Sequence, residues 1–132
     1  MPVEITIDPE RRRIRSRLSG RLCRDTLRAY YEALTAHPDF RPDLSEVFDV
    51  GDVSELDLTA DEIRDFSAAT ASAPAHGAGM RVAIVAPTDL VFGLARLYEL
   101  SQVDAGNRIC VLRILAEAEA WLDASGTGAV GD

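Results

Sequence analysis

A chain of 132 residues, 47% hydrophobic and 27% charged, is sized and composed for one domain around a single hydrophobic core, without disulfide or metal support. Its formal net charge of −8 argues against nucleic acid or an anionic membrane as the main partner, since both require cations to neutralise phosphate. No apolar run approaches the roughly 18 residues that span a bilayer, and Met1-Pro2-Val3-Glu4 lacks the basic-then-apolar build of a secretion signal, so a cytoplasmic protein is expected. Cys23 and Cys110 show no metal-ligand spacing and are expected as reduced thiols, Cys110 as a small core residue. All 14 basic residues are arginine, which removes a Schiff base, a P-loop lysine and a lysine general base from consideration. Arginines gather early, from Arg11 to Arg28, whereas residues 43–65 are acidic apart from Arg64. Two solvated faces are the plain expectation, and steering of a partner or pairing of subunits is the functional one.

In chain order, Ile5 and Ile7 alternate with polar neighbours and stop at the turn Asp8-Pro9-Glu10. Ile14, Ser16 and Leu18 then alternate with Arg13, Arg15 and Arg17, predicting a hairpin partner with an arginine outer face, ended by Gly20. Leu27, Tyr30, Tyr31 and Leu34 mark one face of a helix that stops before Pro38. A strand over Val47–Val50 follows, then an acidic loop through Asp52, Glu55 and Asp57. Next comes a helix from Thr59 with Ile63, Phe66 and Ala69 on one side. Residues 71–79 read as a loop. Arg81 to Ala86 is the apolar run of a central parallel strand. Pro87-Thr88-Asp89 opens a helix whose inner arc is Leu90, Val91, Leu94, Leu97, Tyr98 and Ser101. Ile109 to Leu112 forms the last strand, and a final helix carries Leu115, Ala118, Trp121 and Leu122. The Gly-rich stretch 125–132 is expected as a disordered tail after a domain over 1–124. The order β-β-α-β-α-β-α-β-α specifies an α/β domain: a mixed, mostly parallel sheet of five strands with four helices packed on it.

The stretch from Glu46 to Ile63 is the best candidate site, because open α/β sheets bind ligands beyond the carboxyl ends of their strands. Thr59-Ala60-Asp61-Glu62 is a capping-box pattern, so Thr59 is expected to cap the helix, contributing on the order of 1 kcal/mol. A hydroxyl there is also a candidate for phosphorylation. Asp49, Asp52 and Asp57, with Thr88, Asp89, Phe92 and Arg96 from the next helix, form the candidate surface for a ligand or partner. Phe92 falls nearly opposite Leu94 and Tyr98 on the helical wheel, where it is expected to line a pocket, join a homodimer contact or tuck under the loop after residue 70. Catalytic motifs are absent: there is no nucleophile elbow, Walker A loop, dinucleotide fingerprint or histidine pair at metal spacing. Neither an enzymatic activity nor a metal or cofactor is expected. His37 and His76 read as surface histidines, and Cys23 and His37 fall at opposite ends of one helix.

The ordered set Leu18-Ser19-Gly20, Val47-Phe48-Asp49-Val50, Leu56-Asp57-Leu58-Thr59, Arg81 to Pro87, Gly93-Leu94-Ala95-Arg96 with Tyr98-Glu99, and Glu117-Ala118 with Trp121-Leu122 resembles the SpoIIAA-like family. This is the STAS/SEC14-like branch of the anti-sigma-factor antagonists, and the match covers nearly the whole chain. The resemblance implies a non-enzymatic regulatory or scaffold domain that works through a protein partner or a homodimer. Its SEC14-like side implies the alternative of a carrier or sensor for a small hydrophobic or lipid-like ligand. It also places Thr59 on the position that antagonists phosphorylate within Asp-Ser-Ser-Gly. Here that stretch is Asp57-Leu58-Thr59-Ala60, with leucine for the first serine and alanine for the glycine.

Overall fold

The computed structural model describes residues 3–71, 81–102 and 108–131. Its elements are β1 (Val3–Asp8), β2 (Arg13–Cys23), α1 (Arg24–Ala36), β3 (Ser45–Asp57), α2 (Ala60–Ala71), β4 (Arg81–Val85), α3 (Asp89–Ser101), β5 (Arg108–Leu112) and α4 (Leu115–Gly131). The expected order is thus observed. The expected loop over 71–79 lies outside the described residues apart from Ala71, as does His76. The stretch expected as a tail overlaps the last turns of α4, whose side chains are likewise outside them.

Five strands lie side by side in the order β1-β2-β3-β4-β5, with β1 antiparallel to β2 and every other pair parallel. The β1–β2 turn is built by Asp8, whose carboxylate accepts from the backbone N–H of Glu10 and Arg11 at 3.1 and 3.2 Å. Alternation assigns the two faces of the sheet. Ile14, Glu46, Val82 and Ile109 form one row across four strands, all directed toward the α1–α3 side. Val47, Ala83 and Val85 point the other way, onto Ala118 and Leu122 of α4. The main core therefore lies between the sheet and α1, α2 and α3, with Leu27, Tyr30 and Leu34 buried from α1.

β2 and β3 both run well past their expected ends. Gly20 does not stop β2; it adopts φ 73°, a left-handed conformation open to glycine, beside two register shifts that let the strand continue. The acidic stretch Asp52–Asp57 is strand and not loop, paired from Ser19↔Asp52 to Cys23↔Asp57. The reason lies across the ladder. Arg17 binds Asp52 at 3.0 Å, and Arg21 binds Glu55 at 3.2 Å and also Asp57. The separation of early arginines from later acids is thus a cross-strand match within one molecule, extended by Arg12 with Asp43.

The expected arginine outer face is also partly roofed. Arg13, whose side chain is 7% exposed, donates to Glu119 and Asp123 of α4, each at 2.9 Å, and Arg15 joins Glu119 at 2.9 Å. Two helix faces are rotated from expectation. On α2, Ala69 is exposed while Ser67 and Thr70 are buried. On α3, Leu90 (68% exposed) and Ser101 face out and Ala95 faces in. Hydrogen bonds explain the polar inner face of α2. Gln102, fully buried at the end of α3, donates to the Ser67 carbonyl at 2.9 Å and its hydroxyl at 2.7 Å. The Thr70 and Tyr98 hydroxyls lie 3.3 Å apart. Satisfied in this way, these groups tolerate burial.

Candidate functional site

Between the sheet and α1–α3 the core is not filled. A partly open cavity of about 70 Å³ remains, several times what one water needs. Its floor is the sheet: Glu46, Phe48, Val50 and Leu56 of β3 with Val82 and Ile84 of β4. Its walls are Leu27 and Tyr30 from α1, Ile63, Phe66 and Thr70 from α2, and Val91, Leu94, Ala95 and Tyr98 from α3. It extends from Glu46, second residue of β3, to Leu58 just beyond that strand. Leu58, one of the two departures from the antagonist motif, is therefore a wall of the cavity.

The aromatic side chains are arranged edge to face or tilted. Tyr30 meets Phe48 with centroids 4.8 Å apart and planes at 81°, and Phe66 meets Tyr98 at 5.9 Å and 38°. One carboxyl group interrupts this apolar surface. Glu46, 1% exposed, accepts at Oε2 from the Ser16 hydroxyl at 2.7 Å and from the Tyr30 hydroxyl. Among the described residues no hydrogen bond reaches Oε1. Burial pushes the Glu46 pKa up to about 7, against the opposing pull of the Tyr30 and Ser16 hydrogen bonds. Burial raises Tyr30 well above its ordinary value, reinforced by the Glu46 charge, so Tyr30 stays protonated as donor. Tyr98 is pushed up to about 12, mainly by burial, with Thr70 opposing and Glu46 adding to the rise.

The residues expected to form the site do not converge on this cavity. Thr59 caps α2 as expected: its hydroxyl accepts from Glu62 N–H at 3.1 Å, and Glu62 accepts from Thr59 N–H at 3.0 Å. It is exposed, outside the cavity. Asp49 accepts from Gly51 N–H at 2.8 Å, and Asp52 and Asp57 are held in the arginine ladder. Thr88 caps α3, accepting from Val91 N–H at 3.4 Å. Asp89 and Phe92 meet at Arg113, which donates to Asp89 at 2.8 Å and lies 4.1 Å from the Phe92 ring centre. Phe92 is thus half-buried under an arginine and does not line this cavity. Arg96 pairs with Glu99 at 2.7 Å on the exposed side of α3. Cys23 and His37 flank the two ends of α1, as expected. No group of three or more His, Cys, Asp or Glu side chains suited to a metal ion occurs among the described residues.

Glu46, Tyr30, Ser16, Thr70 and Tyr98 were not singled out from the sequence. A signal was present: in a strand buried on both faces, Glu46 shares the side of Phe48 and Val50, so its carboxyl had to be inside.

No protein-family model matches the chain, and no curated protein matches it either. Among solved structures it is similar to an uncharacterized protein of the DUF3478 family from Shewanella loihica PV-4, described as having a SpoIIAA-like fold. The two share 15% sequence identity and a TM-score of 0.57, with 91% of each chain covered. At that identity the likeness is one of fold. Five strands, four helices and a mostly parallel sheet in one α/β domain give this chain the SpoIIAA-like fold expected of it.

Proposed function

We propose that this domain binds a small, largely apolar molecule in the cavity between its sheet and α1–α3, as a carrier or sensor and without turning it over. The observation that carries the reading is the cavity itself, bounded by three helices and lined by apolar side chains except for a few polar groups that converge near Glu46. Such a combination of apolar walls and few oriented polar groups is the usual build of a small-molecule site. An unfilled core costs stability, since its walls forgo packing contacts, and a ligand would recover them. Occupation of the cavity by xenon in pressurised crystals tests the reading; an unoccupied, collapsed core would count against it.

A second reading, contact with a protein partner or another copy, draws on a different surface. Leu90, Ile114 and Leu115 are 68%, 54% and 48% exposed on the segments that follow β4 and β5. Arg113 ties those segments together by donating to the Pro87 carbonyl at 3.2 Å and to Asp89. Exposed apolar residues at the carboxyl end of a sheet suit docking. Light scattering over a concentration series tests for a homodimer, with a fixed monomer mass as the opposing result.

A further inference from the structure

If the cavity is a binding site, the chemistry of its lining also selects the ligand's polar end. Among the described residues Glu46 is the one charged side chain in the lining; no arginine or histidine reaches it, and the chain has no lysine. With Glu46 ionised, a carboxylate or phosphate head would therefore meet a like charge with no cation to offset the repulsion. The other polar groups are hydroxyls: Tyr30, Tyr98 and Thr70. Around them stand four aromatic rings, Tyr30, Phe48, Phe66 and Tyr98. Aromatic faces attract cations, and a ring cluster with a carboxylate is the usual recognition chemistry for an ammonium group.

We infer that the cavity takes a small apolar amine, its ammonium group seated against Glu46 Oε1 and the surrounding rings and its hydrocarbon part against β3, β4 and α3. The geometry provides for this. Ser16 and Tyr30 both donate to Oε2, which fixes the carboxyl orientation and leaves Oε1 as the acceptor available to a ligand donor. The groups that face Glu46 are Ser16 from β2, Tyr30 from α1 and Tyr98 from α3, with Thr70 of α2 bonded behind Tyr98. None of these is a cation, so an entering ammonium has no competitor for the carboxylate. Glu46 also titrates near neutrality, so amine binding is linked to proton release from Glu46.

The inference rests on the cavity reading, and the following experiment separates the two. Titrate the protein, followed by ¹H–¹⁵N chemical shifts, with n-hexylamine, n-hexanol and n-heptanoate, which share one hexyl chain and differ in the head. At pH 8 hexylamine is expected to bind about tenfold or more tighter than heptanoate. Its affinity should rise between pH 5.5 and 8 as Glu46 ionises, while the amine stays protonated with a pKa of about 10. Glu46→Gln should weaken hexylamine about tenfold, remove its pH dependence and leave hexanol within about twofold. Tyr30→Phe, which keeps the carboxyl, should retain the preference for the amine. Hexanol or heptanoate binding as tightly as hexylamine to the unaltered protein would overturn the amine inference and leave the cavity reading standing. Binding of none of the three would overturn both.

Discussion

At the scale of single residues, two side chains separate structural from functional roles. Thr59 and Glu62 close a reciprocal capping box. Thr59→Ala should lower stability by about 0.5–2 kcal/mol in urea denaturation, and Thr59→Ser should behave as the parent protein. A larger loss than that would mean the hydroxyl supports more than a helix end. This residue was legible because a cap is local: donor and acceptor lie three positions apart. Glu46 was harder to read, because its meaning depends on Ser16 and Tyr30, 30 and 16 residues away. Its folded-state pKa of about 7 exceeds the ordinary 4.5. Between those values the folded state holds more protons than the unfolded chain, so stability falls as pH rises across that window. Stability measured by denaturation from pH 4.5 to 8 should therefore decline by on the order of 3 kcal/mol from this group, and Glu46→Gln should flatten the profile. A profile that rises over the same range in the parent and is unchanged in Glu46→Gln would contradict the burial of that carboxyl.

At the scale of elements, the arginines do two different things. Arg17 and Arg21 are exposed, and their pairs with Asp52, Glu55 and Asp57 set the match between β2 and β3 more than they add stability. Arg13 is buried and holds α4 to the sheet through Glu119 and Asp123. Arg13→Ala should therefore cost on the order of 3 kcal/mol and speed amide exchange in α4, whereas Arg21→Ala should leave both nearly unchanged. Equal effects of the two substitutions would count against this division. These pairings explain why element order was legible and element length was not. Apolar alternation and proline placed every strand and helix in sequence order. Asp52 to Asp57 looks like a loop by composition, because the arginines that make it a strand lie more than thirty residues earlier. The turned face of α2 has the same origin. Ser67 and Thr70 are buried because Gln102 and Tyr98 satisfy them, and helical periodicity counts only apolar residues.

At the scale of the whole molecule, a SpoIIAA-like domain carries an unfilled core beside a buried carboxyl group. The fold was legible through the order and spacing of many loose motifs, each weak alone. The cavity was not, because it is what remains when three helices settle on a sheet, and no single segment encodes it. Leu58 illustrates the point. In the sequence it is a departure from a phosphorylation motif; in the structure it is a wall of the cavity. Asp49, Asp52 and Asp57 of β3 lie outside the cavity, and the function proposed above draws on the interior beside Glu46 instead.

The most direct measurement is a crystal structure determined under xenon pressure, with Ala95→Phe as the filled control. Xenon enters dry apolar cavities without needing polar contacts, so it reports space and not chemistry. A binding cavity predicts xenon density in contact with Phe48, Ile84 and Val91 in the parent protein and none in Ala95→Phe, whose ring takes the space. A core in which Leu94, Phe66 and Tyr98 close over the sheet and admit no xenon would contradict the account.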